Sequence, residues 1–385
     1  MYSLFGYAAM IADSVRMNAY ATAIESRVRP GMAVLDLGTG TGIFSLLACR
    51  AGARKVYAVD PSEAVQVGRE IARANGLKDR IVFIQDRSSA IDLPEPVDLI
   101  VSDMRGVLPF FSSHLSDIAD ARDRFLSSTG HMIPLYDHIF GMLAETPQIY
   151  GEFVSPWSES PFGFDMAAAS RYQVNQWKKV ESNALNAVSS PCRWLSIDYS
   201  TLAGPSGSGQ LAWSVEKKAA AQGFVLWFDT RLTEECGFSN APDQPETIYG
   251  KAFFPFQEPL PLESRDQVLV DLKAEYVDRE YIWRWNTVHR SKDDEQKAAF
   301  SQSTFWARPL SLESLEVRDS THRPTLTPQG EVDRRILNLM NGEKTLGDIA
   351  ENVARHFPDR YPSLKAALKQ VSRLSSRYSK KTDGH

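Results

Sequence analysis

Three cysteines in 385 residues, Cys49, Cys192 and Cys236, are too few and too far apart for a disulfide framework, a redox pair or a metal knuckle. The seven histidines, His114 and His289 among them, show no metal-ligand spacing. No apolar run reaches the ~18 residues that a membrane span needs, and the N-terminus lacks the basic start and apolar centre of a secretory signal. A formal net charge of −5 gives no bulk attraction to nucleic acid or to an anionic membrane. Long repeats and low-complexity tracts are missing as well. These absences predict a cytoplasmic protein with unpaired thiols and no metal. What is present is a globular composition, 43% hydrophobic and 24% charged, in a chain too long for one ordinary core, so at least two domains are expected.

The chain changes character along its length. Residues 1–28 read as helix, with Met10, Ile11, Val15, Tyr20 and Ile24 near one face, and Arg29-Pro30-Gly31 as a turn. A regular alternation follows: strand "MAVLDL", helix "GIFSLLACRAG", strand "KVYAVD", helix "AVQVGREIARANG", then strands "RIVFIQ" and "VDLIVSD". Short β-branched strands between helices indicate a parallel sheet buried on both faces, an α/β Rossmann-like domain over 31–134. From 135 to 295 short alternating segments such as "GFVLWFDTRL" and "DQVLVDLKAEY" predict an antiparallel β domain, with a helical insertion at about 145–190 and "LAGPSGSGQ" as a flexible loop. Residues 291–300, "SKDDEQKAAF", read as a linker, and the chain is helical again from Gly330. "WRW" at Trp283–Trp285 reads as core or interface.

"VLDLGTGTG", Val34–Gly42, is the strongest local signal: a strand, three alternate glycines, then a helix. Glycines there let the backbone turn tightly and come close to a ligand. The spacing is G-x-G-x-G rather than the dinucleotide G-x-G-x-x-G, and Asp36 sits two residues before the first glycine. An acid so near the loop would repel a pyrophosphate but suits a cationic group such as an amino-acid ammonium. Asp60 ends the second strand, where an acid can accept both hydroxyls of a ribose. Together these favour S-adenosyl-L-methionine over a nicotinamide dinucleotide. Asp36, Gly38, Thr39, Gly40, Gly42, Asp60 and Pro61 are the candidate cofactor residues, with Asp86 and Ser88 after the third strand as candidate adenine contacts.

Residues 1–290 resemble the protein arginine methyltransferase family of class I methyltransferases. "VLDLGTGTGIFSLLACRAGARKVYAVD" is similar to its first two motifs, and "MIADSVRMNAY" to its N-terminal helix. The resemblance implies that Arg16 binds the cofactor carboxylate and adds Met10 as a candidate catalytic position. "SPWSESPFGFDM" resembles the start of a dimerisation arm, implying a homodimer, and "FDTRLTEECGFSNAPDQPET" a β-barrel segment.

The fourth strand ends in Asp103, and in a doubly wound sheet the first and fourth strands flank the crevice where ligands bind. Asp103 is therefore expected to face the reacting end of the cofactor. It also falls on the first glutamate of the family's double-glutamate loop, which clamps a substrate guanidinium. Two carboxylates can hold that planar fork and draw charge from the attacking nitrogen. The chain departs from this pattern. The first acid is an aspartate, the second position is the uncharged Ser112, Ile248 in "TIY" replaces a histidine, and Tyr7 stands near another. Arg105 intrudes into the loop, to meet either an acidic substrate group or a surface carboxylate. A different nucleophile, a missing charge supplied by substrate or another segment, or cofactor binding without turnover would each account for the loss.

Residues 331–385 carry eleven Lys and Arg against seven Asp and Glu. "LNLMNGEKTLGDIAENVARHF" resembles the winged-helix peptide chaperone of pyrroloquinoline-quinone biosynthesis and related leader-peptide recognition domains, so 310–385 is expected to be a small helical, winged-helix-like module. It would pack as an accessory bundle, dock a peptide or bind nucleic acid. The sequence thus points to a methyltransferase acting on a nitrogen of a peptide or protein, a natural-product precursor included. A small guanidino or amino metabolite as acceptor, and a non-catalytic binding protein, are the competing readings.

Overall fold

The computed structural model describes residues 3–159 and 161–380. The chain divides into two compact units, Met1–Pro309 and Leu310–His385. The first opens with two helices where one was expected, α1 (Leu4–Ala12) and α2 (Ser14–Arg27). Asp13 separates them because its carboxylate accepts the amide of Arg16 and caps α2. Next come β1 (Ala33–Leu37), α3 (Ile43–Ala51), β2 (Lys55–Val59), α4 (Ala64–Ala74), β3 (Ile81–Ile84), β4 (Val97–Ser102), α5 (His114–Phe125) and β5 (Leu126–Ile133).

Their five strands form a parallel sheet in the order β3-β2-β1-β4-β5. β1 is buried at every position and β2 at all but its first residue, as strands covered by helices on both faces must be. The order reverses between β1 and β4, which pair with Leu37 opposite Ser102. Gly38 and Asp103, the next residue of each strand, therefore open onto one crevice.

The antiparallel part holds β6 (Tyr136–Glu145), α6 (Pro147–Ser158), α7 (Ser170–Gln173), β7 (Lys178–Val180), β8 (Asn186–Ala187), β9 (Cys192–Asp198), β10 (Gly207–Ser214), β11 (Ala219–Arg231), β12 (Gly237–Ser239), β13 (Lys251–Leu262), β14 (Gln267–Val277), β15 (Glu280–Arg290) and β16 (Gln296–Ser303). One sheet runs β10-β14-β15-β16; the other runs β7-β13-β11-β6-β8, with β12 on β11 and β9 on β6. The expected linker at 291–300 is a turn followed by β16, an edge strand. Its outward residues are polar, and only Phe300, Gln302 and Ser303 are buried, so its strand pattern is faint in the sequence. Likewise the end of "LAGPSGSGQ" is the start of β10 rather than free loop. Trp283 and Trp285 are core, the latter donating its indole N–H to the Pro255 carbonyl at 3.3 Å.

The second unit contains α8 (Leu312–Glu316), α9 (Pro328–Leu339), α10 (Leu346–His356) and α11 (Leu364–Tyr378). α10 starts in a capping box between Thr345 and Asp348. Val332, Ile336, Ile349, Val353, Val371 and Leu374 close a core of their own. No strand occurs among its described residues, so the hairpin of a winged helix is not seen there.

Candidate active site

A cavity of about 820 Å³ opens where the parallel sheet reverses its order. Gly38, Thr39 and Thr41 line it from the loop between β1 and α3, Ile43 from the first turn of α3, Asp60, Pro61 and Ser62 from just past the end of β2, and Asp86, Arg87 and Ser88 from the loop after β3. Met10 and Arg16 reach it from α1 and α2, and Asp103 and Ser112 from the segment after β4. Most of the residues singled out in the sequence thus meet in one space.

Gly38 and Gly40 sit at φ +79° and +54°, a region that L side chains rarely occupy. A Cβ on Gly38 would run into Met104, and one on Gly40 into the ring of Tyr7. Tyr7 therefore lies over the glycine loop, its hydroxyl 3.4 Å from Ser62 Oγ. Asp60 accepts the amides of Gly40 (3.0 Å) and Ser62 (2.8 Å), which fixes its carboxylate against the loop.

Asp36, Gly40 and Gly42 are not among the lining residues. Asp36 lies beneath the loop, where its Oδ2 accepts the hydroxyls of Thr39 and Ser45 (both 2.6 Å) and the Ser45 amide (2.9 Å). These bonds brace the loop, while Oδ1 is buried without a partner among the described residues. Burial raises its carboxyl to about 6, against the opposing hydrogen bonds from Ser45 and Thr39.

Asp103 is 3% exposed at its side chain and is held from three directions. Arg16 Nε and the Tyr249 hydroxyl (2.6 Å) donate to Oδ2, and Arg105 Nε donates to Oδ1 at 3.1 Å. Burial alone would raise its pKa, but Arg16 and then Arg105 bring it down to about 2. For Arg16, burial opposes the charge, and the Asp103 carboxylate with Tyr249 and Tyr20 together more than reverse that, holding the guanidinium above its usual range.

Arg105 does not meet a surface acid. Its side chain is wholly buried, with Nη1 donating to Asp137 (2.8 Å) and Thr230 (2.9 Å) and Nη2 to the Tyr20 hydroxyl. Asp137, itself fully buried, also accepts from Tyr199 at 2.6 Å. That bond uses the Tyr199 proton, so His114 Nε2, 3.2 Å from the Tyr199 oxygen, must carry its own. His114 Nδ1 is then a lone pair, buried and without a partner among the described residues. Burial, then Arg105, push this histidine down to about 3, so it stays neutral.

Sequence reasoning missed Asp137, Thr230, Tyr249, Tyr199 and the role of His114. None stands in a motif. Asp137, Thr230 and Tyr249 meet the site because β6, β11 and the loop before β13 fold back onto the end of β4, Tyr199 comes from just after β9, and His114 opens α5.

Two family models match the chain: the ribosomal protein L11 methyltransferase (PrmA) over 20–128 and the arginine methyltransferase oligomerization subdomain over 138–289. The chain is 31% identical over 255 residues to the ribosomal protein arginine N-methyltransferase rmt3 of Schizosaccharomyces pombe, covering 62% of this chain and 47% of that one. It is 32% identical to the probable protein arginine N-methyltransferase 6.1 of Oryza sativa subsp. japonica, covering 63% and 64%. The chain thus spans from about half to two thirds of the length of these relatives. Among solved structures, protein arginine methyltransferase 10 of Arabidopsis thaliana superposes with a TM-score of 0.67 at 24% identity, covering 78% of this chain and 97% of that one. The Trypanosoma brucei PRMT1 enzyme–prozyme complex with AdoHcy gives 0.70 at 24%, covering 77% and 96%.

Proposed function

We propose that this chain, similar to protein arginine methyltransferases, carries out an S-adenosylmethionine-dependent transfer of methyl to a nitrogen of a protein or peptide. One observation carries the proposal: the glycine loop, Asp60, Arg16 and Asp103 converge on a single cavity at the point where the sheet reverses its order. The residues fit the donor. Asp60, fixed by two amides, keeps lone pairs for a ribose diol. Arg16 carries no hydrogen bond on Nη2 among the described residues, which leaves a charged fork end for a carboxylate. Gly38 allows close approach, and Asp86 and Ser88 stand ready for the base. Met10 and Ser112 border the acceptor end. When bound, the donor supplies an electrophilic methyl on a sulfonium.

Incubating the full chain with tritiated donor and a pool of cytosolic peptides is expected to label the peptide fraction. Donor-product binding by calorimetry with no label transferred to peptides or metabolites would overturn the enzyme reading in favour of a binding protein. Label confined to low-mass metabolites would move the acceptor class.

Gly40→Ala is expected to weaken S-adenosylhomocysteine binding at least tenfold. It forces a side chain into positive φ, at about 1 kcal/mol or more, and into Tyr7; calorimetry on the variant checks it. Deleting residues 310–385 is expected to leave donor binding within about twofold. Every lining residue lies between Gly6 and Tyr249, and the second unit has its own core. If that unit recruits a peptide, as its net positive charge and the leader-peptide-domain likeness suggest, the deletion weakens peptide substrates alone. Homodimerisation through the 145–190 segment is part of the same proposal, supported by its exposed Phe162 and Phe164.

A further inference from the structure

Around Asp103 the charge is balanced before any acceptor arrives. Its carboxylate already faces two arginines and a tyrosine hydroxyl. Arg105 cannot swing away. Its guanidinium lies within 6 Å of the ring centres of Phe228, Phe238, Tyr20 and Tyr249, and its fork is tied to Asp137 and Thr230. Ser112 adds no charge. The other carboxylates lining the cavity serve elsewhere. Asp60 takes two backbone amides. Asp117 takes the Ser113 hydroxyl, and its charged neighbours Arg87, Asp120 and Arg279 are none of those around Asp103. Asp86 adjoins Arg87. Against these four acids stand four cations on the same cavity: Arg16, Arg87, Arg105, which is also paired with the buried Asp137, and Lys179, whose Nζ donates to the Ile248 carbonyl. A bound donor adds a sulfonium and an ammonium against one carboxylate, and so a net positive charge.

We propose that this cavity takes its methyl acceptor as an uncharged nitrogen with a lone pair of its own, an imidazole or an unprotonated amine of a peptide, and rejects a guanidinium. The inference rests on the methyltransferase reading above. A guanidinium is charged at every working pH. Here it would enter a desolvated site that offers one carboxylate, already shared between two arginines, and like charges repel far more strongly there than in water. The two buried groups beside the site do not relieve it of a proton either. Asp103 at about 2 and His114 at about 3 are both too weakly basic. An acceptor that brings its lone pair needs no base. Its nitrogen forms the new bond to the methyl carbon, the carbon–sulfur pair stays on sulfur, and the positive charge passes to the acceptor, which sheds a proton to water, from the same nitrogen in an amine and from the other ring nitrogen in an imidazole.

The test uses peptides blocked at both ends with a single Arg, His or Lys, and one with a free N-terminus and none of these. Each is given to the full chain with tritiated S-adenosylmethionine across pH 6–9, and the labelled atom is found by fragment mass spectrometry. Calorimetry measures each peptide binding to the chain loaded with S-adenosylhomocysteine. Expected is labelling of the imidazole or free-amine peptide, with a rate that rises about tenfold per pH unit below the acceptor's own pKa and then levels. Arginine labelling should be at least 100-fold slower and its peptide the weaker binder. Arginine labelled fastest, on its guanidinium, overturns the inference and leaves the methyltransferase reading standing. No label on any peptide overturns that reading; calorimetry then still decides the charge preference, and tighter binding of the arginine peptide overturns it. Ser112→Glu, at an exposed position whose backbone already sits at φ +47°, should raise arginine labelling at least tenfold. An unchanged rate overturns the charge argument.

Discussion

Asp103→Asn is expected to lower methyl transfer by roughly 100-fold or more, the scale on which one preorganised electrostatic group acts, while S-adenosylhomocysteine affinity stays within a few-fold. The cofactor groups proposed above are expected to hold the donor without it, since Asp103 is proposed to face the acceptor end. The variant also loses stability, by about 3–5 kcal/mol, because a buried ion cluster loses one member and leaves Arg16 and part of Arg105 uncompensated. The pH dependence separates this from a general weakening. The folded Asp103 pKa of about 2 lies below its unfolded value of about 3.9, so its stabilisation is present above about pH 4 and is lost as pH falls toward 2. Urea titrations of the wild type and the variant should converge in that window. Asp36 has the opposite sign: with its carboxyl raised to about 6, ionising it costs stability as pH climbs from about 4 to 6. Wild-type turnover retained in Asp103→Asn would remove the residue from the reaction.

The second large effect concerns Arg105. Arg105→Met is expected to destabilise the first unit by about 3–5 kcal/mol, since it strands the fully buried Asp137 and takes one of two cations from Asp103. Asp137→Asn strands Arg105 in turn. The double substitution removes both halves of the pair and should recover part of the loss, with a coupling of about 1 kcal/mol or more. All eight tryptophans lie between Trp157 and Trp306, so their fluorescence during urea unfolding reports the first unit alone. Strictly additive losses would mean that the pair is not coupled.

The contrast between Asp103 and Arg105, two residues apart, shows what the sequence can disclose. Asp103 was readable because parallel strands obey topological rules: once four strands and their helices are counted, the end of the fourth must adjoin the end of the first. The glycine loop and Asp60 were readable because a strand, a tight turn and a helix leave their marks within ten residues. Arg105 was not readable. A lone arginine in a loop looks solvated, and the partners that bury it, Asp137 and Thr230, stand 32 and 125 residues away on strands facing each other in register. Asp36 shows a subtler limit. The motif placed it at the loop, but only the side-chain geometry distinguishes bracing the loop from facing the ligand. β16 was missed for a different reason. An edge strand needs apolar residues on one face only, and three buried positions in eight read as a polar linker.

The most direct test of the account is a crystal structure of the full chain grown with S-adenosylhomocysteine. The account predicts the ribose on Asp60, the carboxylate at Arg16 and the sulfur directed toward Asp103, whose carboxylate still holds Arg105. Ligand found outside the crevice between β1 and β4, or Asp103 turned away from the sulfur into solvent, would contradict it.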